Sequence, residues 1–182
     1  MKTDARVKYT KMVLKKALLE LMQHKPVNKI TVKEICERAE LNRATFYAHY
    51  TDCFDLLESI EEELFGQFER SMQNYVQSFD IAALVDGLYG IIQENEAVCR
   101  VLLFGRRSTE LIHRMIVYAH DLSIASWRRT LKKASDDELE MLYLCLSNGL
   151  LSVILDGYDR FDRQSVIRFI DLMYHQATAP LL

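Results

Sequence analysis

The sequence predicts an all-helical chain, and three observations support that prediction. Apolar residues recur at helical spacing through most of the 182 residues. The chain contains six glycines and only two prolines, which suits long helices better than sheets and turns. Pairs of residues that favour helix starts precede several apolar stretches, among them Thr31 with Glu34 and Ser135 with Glu138. We therefore expect about nine helices packed around real hydrophobic cores.

Three of these helices are predicted before residue 52, which we take as the end of an N-terminal domain. The first spans Thr3 to His24 and carries an apolar stripe along one face. The second begins at Thr31, and the third runs from Arg43 to Tyr50, with Glu40 to Asn42 as the turn between them. A helix, a three-residue turn and a second helix have the spacing of a helix-turn-helix.

The third helix has a face that is unusual for a solvent-exposed surface. Phe46 and Tyr50 lie one turn apart and would face the core. The opposite face is small, neutral and hydrogen-bonding, so it suits close approach to a DNA groove. An ordinary amphipathic helix of a helical domain is the alternative. Arg43, at the N-terminal edge, is suited to pair with guanine or phosphate. The DNA-facing residues of this helix are then Ala44, Thr45, Tyr47 and Ala48.

Charge is distributed unevenly along the chain. Residues 1–50 hold 11 Lys and Arg against 5 Asp and Glu, a balance of +6. Residues 51–182 hold 12 against 21, a balance of -9. A basic end on an acidic body fits a protein that binds DNA through one end only, because basic side chains displace the counterions of the phosphates. Lys8 in the first helix and Thr31 at the start of the second would add contacts to the DNA backbone.

Residues 39–60, AELNRATFYAHYTDCFDLLESI, resemble the end of the DNA-binding domain of the TetR family of bacterial transcriptional regulators. In that family the run usually reads A-G-V-S-x-G-T-[FL]-Y-x-[HY]-F-x-x-K-x-x-L. Glu40 and Ala44 stand where the family usually has glycine, and Cys53 replaces a lysine that touches the DNA backbone in the family. We expect both Glu40 and Cys53 to weaken operator binding. The matching positions are Ala39, Leu41, Thr45, Phe46, Tyr47, His49 and Leu56.

The residues and the resemblance together favour a dimeric, sequence-specific transcriptional regulator of double-stranded DNA. The expected mechanism is repression, with release from a palindromic operator when an effector binds the C-terminal domain. The alternative is a helical adaptor that acts through a protein partner and binds DNA weakly or not at all. Arg43, Thr45 and Tyr47 would contact bases or the groove, and Lys8, Thr31, Tyr47 and His49 the backbone; Asn42 and Ala44 complete the DNA-binding set.

Residues 53–182 are predicted to form a helical regulatory and dimerisation domain. The resemblance implies that its first helix connects the two domains and transmits movement to the DNA-binding helices. Capping residues, breaks and apolar spacing define the remaining helices. The predicted spans are Cys53 into the seventies, Asp80 to Gln93, Asn95 to Phe104, Ser108 to Lys132, Ser135 to about Gly157 and Arg163 to Gln176, with Asp162 as the last cap.

The last two helices carry enough apolar surface for a dimer interface. Two such helix pairs from two protomers would make a four-helix bundle. The alternative is that the same faces close the core of the monomer. The predicted interface residues are Leu142, Leu146, Gly149, Leu150, Val153, Ile167, Ile170, Met173 and Tyr174.

An effector pocket is predicted between the middle helices, although packing explains each of its residues equally well. The effector is either a small molecule or, as the resemblance implies for some short members, a protein partner. His113 and His120 lie two helical turns apart, too far for one metal ion. The predicted lining residues are Tyr75, Phe79, Tyr89, Cys99, Phe104, His113, Tyr118 and Trp127.

Several other classes of protein are disfavoured by the sequence. It contains no G-x-S-x-G, P-loop or H-E-x-x-H pattern, so we expect no enzyme activity and no cofactor. Its four cysteines are widely spaced, which argues against a disulfide framework and a metal site. No uninterrupted apolar run reaches the ~18 residues of a membrane span, so a cytoplasmic protein is expected.

Overall fold

The computed structural model describes residues 2–105 and 109–182. That part of the chain contains nine α-helices and no strand, which confirms the predicted all-helical fold with an N-terminal helix-turn-helix. Two single turns of 3₁₀-helix, Val27–Lys29 and Ala179–Leu181, and a π-helical segment, Arg100–Gly105, complete the elements. The helices are α1 (Lys2–Met22), α2 (Val32–Arg38), α3 (Arg43–Tyr47), α4 (Cys53–Ser78), α5 (Ile81–Glu94), α6 (Glu96–Cys99), α7 (Thr109–Thr130), α8 (Asp136–Gly157) and α9 (Arg163–Thr178).

The residues cluster in two compact units. The first unit comprises Met1–Leu64 with Ala97–Arg106, and the second comprises Phe65–Glu96 with Arg107–Leu182. The long helix α4 contributes residues to both units. The domain boundary after residue 52 stays a prediction.

Side-chain caps start the helices where the sequence predicts them. Thr31 and Glu34 form a reciprocal capping box at α2, and Ser135 and Glu138 form another at α8. The Asp52 carboxylate accepts hydrogen bonds from the first backbone N–H groups of α4. The same function is performed by Asp80 at α5 and by Asp162 at α9.

Two predicted helices differ from the observed ones. The predicted third helix ends early, at Tyr47 instead of Tyr50, because Ala48 and His49 turn the chain so that α4 can begin at Cys53. The helix predicted to span residues 95–104 is α6 followed by the π-helical segment, which changes the spacing of its side chains. The predicted start of the next helix at Ser108 lies outside the described residues.

The core of the first unit is built where α1, α2, α3 and α4 present their apolar stripes. Helix α2 packs against both α1 and α3. Phe54 is 55% exposed, because Cys53, Leu56 and Ile60 define an inward face at helical spacing that leaves position 54 outside. Fully buried residues of this core are Leu14, Leu18, Ile35, Phe46 and Leu56.

The turn between α2 and α3 is closed by a left-handed residue that is not glycine. Glu40 has a φ of 54°. The Leu41 N–H donates to the Cys36 carbonyl at 2.9 Å, and the Glu40 N–H to the Glu37 carbonyl at 3.4 Å, which together form a Schellman motif. The left-handed residue of this motif is usually glycine, because a Cβ is disfavoured there.

We expect Glu40→Gly to stabilise the protein by about 1 kcal/mol, because glycine adopts this φ without steric cost. Equilibrium unfolding in urea measures the change. Glu40→Ala is the matched control, since it removes the same charge but keeps the Cβ. Equal stability of the two variants would contradict a backbone origin of the effect.

The second unit is a helical bundle built from the C-terminal part of α4 and from α5, α7, α8 and α9. Helix α5 packs against α9, and α8 packs against both α7 and α9. Arg163 joins α9 to α5 through bonds to the Asp86 carboxylate and the Gln93 side chain. The buried residues at the centre of the unit include Tyr75, Val85, Leu111, Trp127, Leu139, Ile154 and Tyr174.

A histidine between two carboxylates links α7 to α8. His120 Nδ1 lies 3.0 Å from Asp121 Oδ1, and Nε2 lies 2.9 Å from Glu140 Oε2. Its ring packs edge-on against Tyr143, with the ring centroids 4.9 Å apart. Hydrogen bonds to Asp121 and then to Glu140 raise the pKa of His120 above its ordinary value.

The stabilisation from His120 should therefore fall as the pH rises above about 6.5. A raised pKa in the folded state means that the ion pairs stabilise fully below about pH 6.5, and that this contribution is lost as the pH rises through the folded pKa. We expect the stability of the wild type relative to His120→Gln to decline over that range, as measured by urea unfolding at several pH values. His113→Gln, at an exposed position of the same helix, serves as the control. A pH-independent difference between wild type and His120→Gln would contradict the assignment.

Helix α8 is unusually apolar. Within the part of the chain that the structure describes, it is the one helix whose length and mean hydropathy of 1.4 would suit a membrane span by composition alone. Only 17% of that apolar stretch is buried within the chain. It also packs against α7 and α9 in the same helical unit. Its exposed apolar surface is therefore available to another protein surface.

Candidate nucleic-acid interface

Helix α3 is short, but two contacts fix its position. Its N-terminus is capped by Asn42, whose side-chain oxygen accepts the Thr45 N–H at 2.7 Å. Phe46, with no exposed surface, anchors the helix in the core of the first unit, and Tyr50 behind it is buried too. A capped and anchored helix presents its remaining face in one orientation, which direct contact with bases requires.

The face opposite Phe46 is exposed, as the sequence predicts. Arg43, Ala44 and Ala48 are exposed, and Tyr47 is 57% exposed. Thr45 is half-buried and its hydroxyl donates to Asn42 at 3.0 Å, so its methyl group is the part best suited to contact a thymine methyl. His49 is half-buried, next to the Tyr50 ring.

The two residues expected to contact the DNA backbone from α1 and α2 are also exposed. Lys8 is exposed on α1. Thr31 is committed to its capping box, since its N–H and its hydroxyl both donate to Glu34 at 2.9 Å. A hydrogen bond from Lys25, added to those from Thr31, lowers the pKa of Glu34 to about 2, so this carboxylate stays charged and holds the start of α2.

A groove along α1 adds Lys15 and Lys16 to the basic residues predicted from the sequence. It has a volume of about 570 Å³. Lys15 forms an ion pair with Glu63, whereas the other lysines of the groove are exposed. Tyr9 and Met12, also exposed at 61% and 56%, add apolar surface on this helix. The recurrence of lysines along α1 in the sequence could have indicated this basic groove. The groove lysines are Lys8, Lys11, Lys15 and Lys16.

Cys53 has a structural position in the first unit. Its side chain is buried, and its thiol donates to the Ile30 carbonyl at 3.5 Å. Burial raises the pKa of the thiol, so the group is neutral. A lysine side chain has no room at this position without rearrangement, and the departure at residue 53 therefore exchanges a surface charge for core packing.

Comparison with known proteins identifies this part of the chain. A family profile described as bacterial regulatory proteins, tetR family, matches residues 14–60. This N-terminal segment therefore resembles the DNA-binding domain of TetR-family regulators. Residues 14–60 cover α2 and α3 with the second half of α1 and the first turns of α4, so the exposed face of α3 lies within the segment that matches this family. Proteins of this family are DNA-binding regulators and not enzymes, which agrees with the expectation from the sequence.

One sequence relative and two solved structures are similar to this chain. The uncharacterized HTH-type transcriptional regulator YxbF of Bacillus subtilis (strain 168) is 37% identical over 51 residues, which are 28% of this chain and only 13% of YxbF. A transcriptional regulator from Aquifex aeolicus VF5 is 18% identical, with a TM-score of 0.66 over 92% of this chain and 98% of its own. The fatty acid degradation regulator FadR from Bacillus halodurans is 13% identical, with a TM-score of 0.65 over 90% and 93%. At these identities the two structures establish the fold alone.

The second unit contains a cavity of about 80 Å³. Of the predicted pocket residues, Tyr75 and Trp127 line it. Five helices supply the walls: α4, α5, α7, α8 and α9. The lining residues are Met72, Tyr75, Ile81, Leu84, Ala119, Ser123, Trp127, Tyr143, Leu146, Ser147, Leu150, Ile170 and Tyr174.

The other predicted pocket residues lie elsewhere. Tyr89 stacks on Tyr158, and Tyr118 packs against Phe65 and Phe68. Phe79 follows the end of α4 with a φ of 57°, and His113 is exposed. Cys99 and Phe104 belong to the first unit, where burial raises the pKa of the Cys99 thiol to about 12.

The predicted interface residues divide between core and surface. Ile170 and Tyr174 are buried within the chain, so these two serve the monomer's own core, and the half-buried Leu146 and Leu150 line the cavity. Leu142, Val153 and Ile167 are half-buried, whereas Gly149 and Met173 are exposed. Large apolar side chains that the sequence analysis did not name are also exposed on α8 and α9: Met141, Leu144, Phe169 and Leu172.

Proposed function

We propose that the protein is a homodimeric, sequence-specific transcriptional regulator in which α3 of each protomer enters the major groove of a palindromic operator. The observation that supports this most directly is the exposed face of α3. Small and hydrogen-bonding side chains follow Arg43 on a helix that Asn42 and Phe46 hold in place. Such a face is suited to bases, whereas an ordinary surface helix would carry more charge.

The charges of the first unit support binding to the DNA backbone. Exposed lysines along α1 face solvent in the same unit as α3. Lysines that neutralise phosphates release counterions, so they add affinity that falls with salt and does not depend on sequence. These contacts would position α3, and Arg43, Thr45 and Tyr47 would select the sequence.

A second copy of the chain is the proposed partner for the exposed faces of α8 and α9. Met141, Leu144, Phe169 and Leu172 are each 56–57% exposed, an unusual amount of large apolar surface for two neighbouring helices. A Cβ added at Gly149 meets nothing within 4 Å, so a partner helix has room to approach closely there. A two-fold dimer would present its α3 helices to half-sites about one helical turn, ~34 Å, apart or somewhat more.

We further propose that the protein represses transcription. An effector bound in the cavity of the second unit would relieve this repression. Helix α4 supports this route, because it is one continuous helix whose residues Met72 and Tyr75 line the cavity and whose first turns carry the core of the first unit. A small pivot of such a helix would change the separation of two α3 helices in a dimer. We propose that the protein acts in the cytoplasm, where the operator is.

Selection of bound fragments from a random DNA duplex pool tests the proposal. The purified protein is mixed with the pool at about 0.1 M salt, which partly screens non-specific attraction. Enrichment of a palindrome, whose binding weakens steeply as salt rises, is the expected result. The control is a protein with Ala44→Glu, which places a negative charge on the exposed face of α3.

A pool without any enriched sequence, even after cell extract is added to supply an effector, would contradict a DNA-binding function. It would favour the helical adaptor. An enriched sequence that Ala44→Glu binds equally well would instead show that α3 does not read the DNA.

A further inference from the structure

The cavity of the second unit contains a chain of hydrogen bonds in which one hydroxyl hydrogen has no acceptor among the described residues. The Trp127 Nε1–H donates to the Tyr75 hydroxyl at 3.1 Å, and the hydroxyls of Tyr75 and Tyr174 are 3.0 Å apart. An indole N–H is a donor only, and each hydroxyl supplies one hydrogen. Two hydrogen bonds therefore use two of the three hydrogens. Whichever hydroxyl donates to the other, one hydroxyl hydrogen has no acceptor among the described residues.

This spare donor is deeply buried. Tyr75 is 3% exposed and Tyr174 is 5% exposed, and both line the cavity. A buried donor without an acceptor costs free energy, so an acceptor that reaches it from the cavity gains more than it would at the surface. Burial also raises the pKa of Tyr75, which keeps the hydroxyl protonated and able to donate.

The remaining wall of the cavity is neutral. Leu, Ile, Met and Ala side chains form most of it, and Ser123 and Ser147 are its other small polar groups. No described residue of the lining carries a charge. A charged ligand would therefore lose its hydration without gaining an ionic partner, which disfavours carboxylates and amines.

We propose that the cavity binds a small, uncharged and largely apolar molecule that carries one hydrogen-bond acceptor, such as a ketone. The volume of 80 Å³ sets the scale of the ligand. An engineered cavity of about 150 Å³ holds one benzene ring of six non-hydrogen atoms, so by proportion this cavity holds about three, and a molecule of five requires a small outward movement of the lining side chains. The inference rests on the proposed function in one respect, because the molecule it describes is the effector proposed above.

Three molecules with five non-hydrogen atoms each test the chemistry separately. 2-Butanone carries the acceptor, 2-methylbutane replaces its oxygen with a methyl group, and propanoate has the same branched shape with a charge. Trp127 is the only tryptophan in the chain, so a ¹⁵N-labelled protein gives one indole N–H signal in NMR spectra, at the start of the hydrogen-bond chain. Titration of each molecule is followed by the shift of that signal.

2-Butanone is expected to shift the signal saturably and to bind about two- to tenfold more tightly than 2-methylbutane, as one neutral hydrogen bond provides. Propanoate is expected to bind at least about tenfold more weakly than 2-butanone. Ala119→Leu, which fills the cavity, should abolish the shift. Ala125→Leu, at an exposed position of the same helix, should retain it.

Equal binding of 2-butanone and 2-methylbutane would overturn the proposed acceptor, and equal or tighter binding of propanoate would overturn the proposed neutrality. An unchanged shift in Ala119→Leu, or no shift with any of the three molecules, would overturn the site itself. The titration contains no DNA. Its failure therefore leaves the result of the duplex selection intact, and failure of the selection leaves the ligand result intact.

Discussion

Replacement of Arg43 by alanine is expected to weaken binding to the selected operator by about 1–3 kcal/mol per half-site, or roughly 5- to 150-fold for each. The guanidinium lies at the exposed N-terminal edge of α3, where its forked N–H groups can pair with the O6 and N7 acceptors of guanine. Each protomer would lose this pairing, so the effect is counted at two half-sites. Fluorescence anisotropy with a labelled operator measures the change.

Two further measurements decide whether Arg43 contacts a base or a phosphate: binding of the Arg43→Lys protein to the operator, and binding of each protein to a scrambled duplex. Lysine keeps the charge but lacks the fork, so it should lose most of the affinity if Arg43 contacts guanine, and little if it contacts phosphate. A base contact also predicts that Arg43→Ala weakens the operator complex more than the scrambled one. Lys132→Ala, which removes an exposed charge from the second unit, is the control and should leave both affinities unchanged. Unchanged operator binding by Arg43→Ala would exclude this residue from the surface that contacts the bases.

The parts of the fold that the sequence predicts are those set by neighbouring residues. Capping by Thr31 or Asp162 depends on side chains within three residues of a helix start, and apolar spacing depends on one helix at a time. The left-handed conformation of Glu40 was not predicted, although the family usually has glycine at this position. The exposure of Phe54 and the early end of α3 were not predicted, because both depend on which neighbouring helix occupies the space.

The two candidate sites also differ in whether neighbouring residues or distant ones form them. The DNA-facing surface is one face of one helix, so Ala44, Tyr47 and Arg43 could be found from spacing alone. The cavity needs five helices from distant parts of the sequence, and spacing along one helix does not show which aromatic residues meet. Tyr174 illustrates this: its helical face predicted an interface residue, whereas packing against Tyr75 places it at the cavity.

The dimer gives the second large expected effect. Leu172→Glu should raise the dissociation constant of the dimer by at least about 100-fold. Leu172 is 57% exposed on α9, close in sequence to exposed Phe169 and Met173. A carboxylate buried in an apolar interface without a partner costs about 3–5 kcal/mol, and two-fold symmetry buries two of them in each dimer. In the folded monomer the same carboxylate is in water, so the stability of the single chain should change little.

Sedimentation velocity over a range of protein concentrations measures this effect. Val117→Glu is the matched control, because Val117 is a branched apolar residue that is 45% exposed on α7 of the same unit. We expect Val117→Glu to remain dimeric and Leu172→Glu to sediment as a folded monomer. The monomer should also bind a single half-site weakly and lose most of its affinity for the full palindrome, since linked half-sites gain from effective concentration. A Leu172→Glu protein that stays dimeric would exclude this part of α9 from the interface, and the exposed apolar residues of α8 would then be the next surface to examine.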